Sequence, residues 1–115
     1  MNDLFLPGNV HFNNLNRHIS VNKNGYRTAE FETIDWKNSI VVFGCSMVFG
    51  TGLDENETIC YHLREMLNKP VINMGVPASS IMYSVYNQLA LKEQYTPYAV
   101  INLWTSLPRH TYFID

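Results

Sequence analysis

A serine stands two residues beyond a short apolar run in Ile40-Val41-Val42-Phe43-Gly44-Cys45-Ser46-Met47-Val48-Phe49-Gly50, with a glycine on either side of it. Flanking glycines permit the tight turn that exposes a hydroxyl nucleophile beside backbone N–H donors, the arrangement acyl transfer requires. Short Gly-x-Ser patterns are common, and this loop alone reads equally well as a strand-to-helix turn whose serine merely caps. A phosphate cradle is excluded: no Lys-Ser/Thr pair closes a P-loop, and Gly50-Thr51-Gly52 lacks the third glycine of a dinucleotide fingerprint. Two further loops carry candidate groups, Gly75-Val76-Pro77-Ala78-Ser79-Ser80 and Thr105-Ser106-Leu107-Pro108-Arg109.

These loops share a location only if the segments before them are parallel strands. Ile40–Gly44 is a continuous, β-branched apolar run, as a strand buried on both faces should be, and residues 71–74 and 98–104 are of the same kind. A helix is expected over 54–68, opened by Asp54 with Glu57, striped by Ile59, Leu63, Met66 and Leu67, and stopped at Asn68-Lys69-Pro70. A second is expected over 80–93, capped by Ser79 or Ser80, with Ile81, Val85 and Leu89, flanked by Met82, Tyr86 and Leu91, as its buried stripe. The order β-α-β-α-β predicts a parallel sheet with right-handed crossovers, whose ligands bind at the carboxyl ends of the strands. Residues 1–38 are polar, Asn-rich and weakly periodic, and are expected to form an N-terminal arm with a hairpin about Asn24-Gly25; residues 39–115 form the α/β domain.

Phe43-Gly44-Cys45-Ser46-Met47-Val48-Phe49-Gly50 resembles the first block of the SGNH (GDSL-like) hydrolases, Gly-Asp-Ser with a glycine a few residues on. Asn73-Met74-Gly75-Val76-Pro77-Ala78-Ser79-Ser80 is similar to their second block, and the stretch from His18 to Arg27 resembles an Asn-x-x-Gly-Phe-Arg sequence that precedes the first block in some members. The resemblance runs from about Arg17 to Arg109. It implies a flavodoxin-like parallel three-layer α/β/α sandwich, cut off after the third strand. It also implies an esterase, lipase or deacetylase working through an acyl-enzyme on Ser46, whose own N–H and that of Ala78 bind the oxyanion. Ala78 replaces the family's glycine, which is tolerable for a backbone donor if φ is negative. Ser106 falls where the family places its oxyanion Asn. Cys45 replaces the family's Asp and reads as a small buried thiol under the turn, with no basic neighbour apparent to activate it.

The family's Asp-x-x-His block, which carries the general base, is absent from the sequence. His11 and His18 sit in the arm, His62 in a helix and His110 beyond the third strand, where it is more simply a solvated residue than a relocated base. Asp115 has no better claim as its partner. The base is expected beyond residue 115, and the 115-residue chain is expected to be inactive or weakly active. The alternative is a non-catalytic α/β module binding a carbohydrate or protein in a degenerate site, and a third reading is a flavodoxin-like regulatory or assembly domain.

Composition bounds the partners. At 115 residues and 46% hydrophobic the chain builds one core, and eight Lys and Arg against ten Asp and Glu supply no basic stripe for nucleic acid. The first residues lack a signal peptide's apolar stretch, and no run approaches the roughly 20 residues that span a bilayer. A cytoplasmic protein with Cys45 and Cys60 as free thiols is expected, with no metal or cofactor and with a small-molecule or carbohydrate ester as substrate. In the family-like order the first strand is central. Residues 98–104 then form a sheet edge without Lys, Arg, Asp or Glu, so self-association through that edge is expected.

Overall fold

A computed structural model describes residues 19–112 and 114. The segment before Ile19, with His11 and His18, and Asp115 lie outside the described residues. Strands Ile40–Gly44 (β1), Val71–Gly75 (β2) and Ala99–Asn102 (β3) form one parallel sheet in the order β2-β1-β3. Ile40 stands opposite both Val71 and Ala99. Every residue of β1 and β2 is buried, which is why their sequences are apolar runs rather than alternations. The third strand is shorter than the expected 98–104, because its ladder ends at Asn102, opposite Phe43.

Helices cover both faces. Val41, Phe43, Ile72 and Met74 point to one side, where helix Ile81–Gln94 (α3) adds Ala90 and Leu91 and the segment before β1 adds Tyr26, Phe31 and Trp36. Ile40, Val42 and Val71 point to the other, against Val48 of the short helix Ser46–Phe49 (α1) and Cys60 of helix Ile59–Leu67 (α2). The result is the expected three-layer α/β/α arrangement with β1 central.

Three local expectations differ in the structure. Asn24-Gly25 does form a turn, with Gly25 at φ 86°. No strand flanks it among residues 19–38. That segment instead threads aromatics into the core: Tyr26 lies 5.5 Å from Phe31, Phe31 lies 5.8 Å from Trp36, and Trp36 stacks on Tyr95 at 4.5 Å. The helix expected from Asp54 begins later. Asp54 and Glu57 form their capping box around a 3₁₀ turn, Glu55–Glu57, and Thr58 then caps α2 separately by accepting from Tyr61 N–H at 3.1 Å. Finally, α3 buries a different face. Ser84, Asn87, Ala90 and Leu91 face the core, while Met82, Val85, Tyr86 and Leu89 are exposed. The buried amide of Asn87 donates to Tyr26 Oη at 2.7 Å, so a polar face is satisfied inside and the apolar stripe is left outside.

Candidate active site

Ser46 is delivered by the central strand. After Gly44 the chain makes a single helical turn, α1, with Cys45 in the N-cap position and Gly50, at φ 85°, closing it in the left-handed region. The turn lies almost on the strand ends: a Cβ on Gly44 would stand 2.5 Å from Val48 Cγ2, and one on Gly75 would stand 2.4 Å from Phe49 N. Only glycine allows that approach. Asn73, buried within the apolar β2, fastens it. Its Nδ2 donates to Val48 O at 2.9 Å and Phe49 O at 3.4 Å, and its Oδ1 accepts from Gly75 N–H at 2.9 Å. Ser46 is left half-buried at the start of the turn, beside the exposed Met47.

The second loop folds back onto the first. Val76 N–H donates to Gly44 O at 3.0 Å, and Ser79 N–H donates to Val76 O at 3.1 Å, closing a turn around Pro77 and Ala78. Ala78 has φ 64°. A turn with Pro second and a positive φ third is type II, a position that favours glycine. The condition under which alanine is tolerable there, a negative φ, is therefore not met. Alanine sits where the resembling family has glycine, at a cost of about 1–2 kcal/mol for an L-residue in the left-handed region. Ala78 is exposed, in the loop that follows the strand paired with β1.

The third loop ties the other two together, chiefly through Thr105, Arg109 and Thr111. Arg109 Nη1 donates to Ser79 O at 3.4 Å, and the hydroxyls of Ser80 and Thr111 are hydrogen-bonded. Burial pushes the Cys45 thiol up, but hydrogen bonds from Thr105, Met47 N–H and Ser46, with the charge of Arg109 nearby, outweigh it and hold the thiol below its ordinary value. This corrects the expectation that Cys45 has no basic neighbour. Cys45 is itself buried, at 6% exposure, as a thiol packed under the turn. Ser106 lies on an exposed turn whose carbonyl accepts from Arg109 N–H, and Thr105 is the residue of this loop that meets Cys45.

Asn73, Thr105 and Arg109 lie inside the sequence motifs, which assign them no role. A lone Asn in a fully apolar strand was the available signal for the first; Thr105 and Arg109 meet Cys45 only through the fold. Of the described histidines, His62 is exposed on α2 with its ring edge against Tyr61, and His110 is exposed beside Tyr112. Among the described residues no cluster of His, Cys, Asp and Glu could hold a metal ion, and no helix is long and apolar enough to cross a membrane.

No family model and no curated protein matches the chain. Among solved structures, the chain is similar to AlinE4, described as an SGNH-hydrolase family esterase, at 25% identity and a TM-score of 0.49. The likeness is to an SGNH hydrolase. It covers 63% of this chain and 42% of that one, and a point mutant of the same esterase gives the same values. The chain thus spans less than half the length of the esterase it matches.

Proposed function

We propose that the chain carries the nucleophile of a serine ester hydrolase of the SGNH type, with Ser46 as nucleophile and a small-molecule or carbohydrate ester as substrate. The observation that carries this reading is that three strand-end loops meet at the end of the central strand, immediately before Ser46. The serine opens a helical turn beyond the central strand; the loop after β2 is hydrogen-bonded to Gly44 O at the strand's end, and the loop after β3 to Cys45 and to Ser79 O. In the reaction, Ser46 Oγ attacks the ester carbonyl carbon and its proton passes to a general base. The tetrahedral oxyanion is met by the N–H groups of Ser46 and Ala78, with the Ser106 hydroxyl as third donor. Collapse expels the alcohol, which takes up the proton, and water then releases the acid from the acyl-serine.

Of the described histidines, neither His62 nor His110 has a position that supports the role of base, and without a base the chain is expected to turn over simple esters near background. The test is a fluorophosphonate probe applied to the chain extended to full domain length, followed by intact mass and peptide mapping. Adduct on Ser46 in preference to the exposed Ser106, lost in Ser46→Ala, is the expected result. Equal labelling of the two serines would overturn the reading and favour a binding module.

A further inference from the structure

Arg27 belongs to none of the three site loops, yet its side chain is only 3% exposed. Its Nη1 donates to Phe49 O at 3.2 Å and Gly50 O at 2.9 Å, and its Nη2 donates to Leu53 O at 2.9 Å. Its Nε stands 3.4 Å from Glu55 Oε1, and the guanidinium lies 5.8 Å from the centre of the Phe49 ring. One planar fork therefore gathers the carbonyls that end α1 and the loop after it. The carbonyls at a helix C-terminus carry its negative dipole end and lack intrahelical partners. Phe49 O is also held, from the opposite element, by Asn73.

The route by which Arg27 arrives is equally specified. Asn22 Oδ1 accepts from the N–H groups of Asn24 and Tyr26, both at 3.0 Å, and its Nδ2 donates to Ala29 O at 3.1 Å. Gly25 supplies the positive φ, and Tyr26 fills the core. A segment outside the sheet is thus folded around its own asparagine so as to present a guanidinium to the loop that carries Ser46.

We infer that Arg27 is a positioning residue for Ser46: its fork fixes the α1 turn, and with it the direction from which Ser46 Oγ meets an electrophile. This rests on the hydrolase reading above. Lysine cannot replace it, because a single ammonium cannot span three carbonyls in the geometry of a planar fork. Arg27 also lines an open cavity of about 950 Å³ with Glu55, Arg64 and Val71, so a small guanidinium has a path to the position that Arg27→Ala would vacate.

The experiment measures the rate of fluorophosphonate labelling at Ser46 as a function of probe concentration in the chain extended to full domain length, as wild type, Arg27→Lys, Arg27→Ala and Glu55→Gln. A misplaced nucleophile lowers the saturated rate and leaves the half-saturating concentration unchanged. A fall of about 10- to 100-fold is expected in Arg27→Lys, by the usual sensitivity of a reaction to displacement of about an ångström. Millimolar methylguanidinium should restore part of the rate to Arg27→Ala where methylammonium does not. Cooperative melting above the assay temperature is required of each variant. Should both Arg27 variants fail it, Glu55→Gln, which keeps the fork and removes its ion pair, carries the test with an expected loss of a few-fold. A folded Arg27 variant labelled at the wild-type saturated rate, or an unchanged rate in Glu55→Gln where it is the surviving variant, overturns the inference and leaves the hydrolase reading standing. A wild-type chain without preferential labelling at Ser46 overturns the hydrolase reading, and the inference with it.

Discussion

Replacing Asn73 by alanine removes the amide that fastens α1 to β2, and its cost follows from the contacts. Two short hydrogen bonds disappear, to Val48 O and from Gly75 N–H, both at 2.9 Å, together with the longer one to Phe49 O at 3.4 Å. Each bond contributes about 1 kcal/mol net, but its loss leaves a buried partner unsatisfied, at about 1–3 kcal/mol for each group. Phe49 O keeps Arg27 as a donor, so two orphans count rather than three. The expected loss is about 3 kcal/mol, well short of the 5–15 kcal/mol that typically holds a domain, so the variant should still fold. In urea unfolding followed by circular dichroism, the midpoint should fall by roughly 1–3 M with the slope unchanged. Asn73→Asp keeps the acceptor for Gly75 N–H but turns a carboxylate oxygen toward Val48 O. It should be at least as unstable at neutral pH and should recover on acidification, when the protonated oxygen can donate. A loss below about 1 kcal/mol in Asn73→Ala, with the same slope, would refute the assignment of Asn73 as the fastening.

Three further outcomes are expected. Ala78→Gly relieves a left-handed alanine and should raise stability by about 0.5–1 kcal/mol after the entropy of the freer unfolded chain, read as a higher melting temperature in calorimetry; a lower one would refute the strained turn. Burial pushes the Cys60 thiol up to about 12. A thiol neutral when folded and ionised when unfolded loses stability as pH rises above its unfolded value, so between about pH 9 and 11 the wild type should lose about 1.4 kcal/mol per unit relative to Cys60→Ala. The two profiles running parallel would refute it. Val100 and Ile101 of the edge strand β3 are exposed, so the chain should sediment as a self-associated species through that edge, and Ile101→Lys should shift it toward monomer; a wild type sedimenting as monomer alone would refute it.

What could be read in advance was what depends on neighbours in sequence. Ile40–Gly44 and Val71–Gly75 are buried on both faces, so their residues are apolar except for Asn73, whose amide is fully hydrogen-bonded, and two such runs separated by a capped helix specify parallel pairing. The buried face of α3 was illegible for the opposite reason. Apolar residues at helical spacing mark a stripe without saying which way it points, and Asn87 is acceptable inside only because Tyr26, far off in sequence, brings a hydroxyl to it. The basic neighbour of Cys45 is likewise contributed by a residue after the third strand. Ala78 differs from both. Val76-Pro77-Ala78-Ser79 has proline where a type II turn wants it, so the positive φ at Ala78 is written in the local sequence.

The three stretches that carried the family resemblance turn out to serve one object, the four-residue turn at Ser46. The first stretch is the turn itself, with Gly44 clearing Val48. The second contributes Asn73, which holds Val48 O and Phe49 O, and Gly75, whose missing side chain lets Phe49 N lie against the strand. The third wraps around Asn22 and sends Arg27 to Phe49 O and Gly50 O. An isolated helix of four residues has no stability of its own, since nucleation costs more than so few hydrogen bonds return. Its geometry must be imposed from outside, by donors to its terminal carbonyls and by surfaces free of Cβ atoms beneath it. Residue identity is then constrained at the amides, the guanidinium and the glycines, and left free at positions such as Met47, which faces solvent. Short, separated blocks of recognisable sequence are the expected trace of a site carried on so small an element.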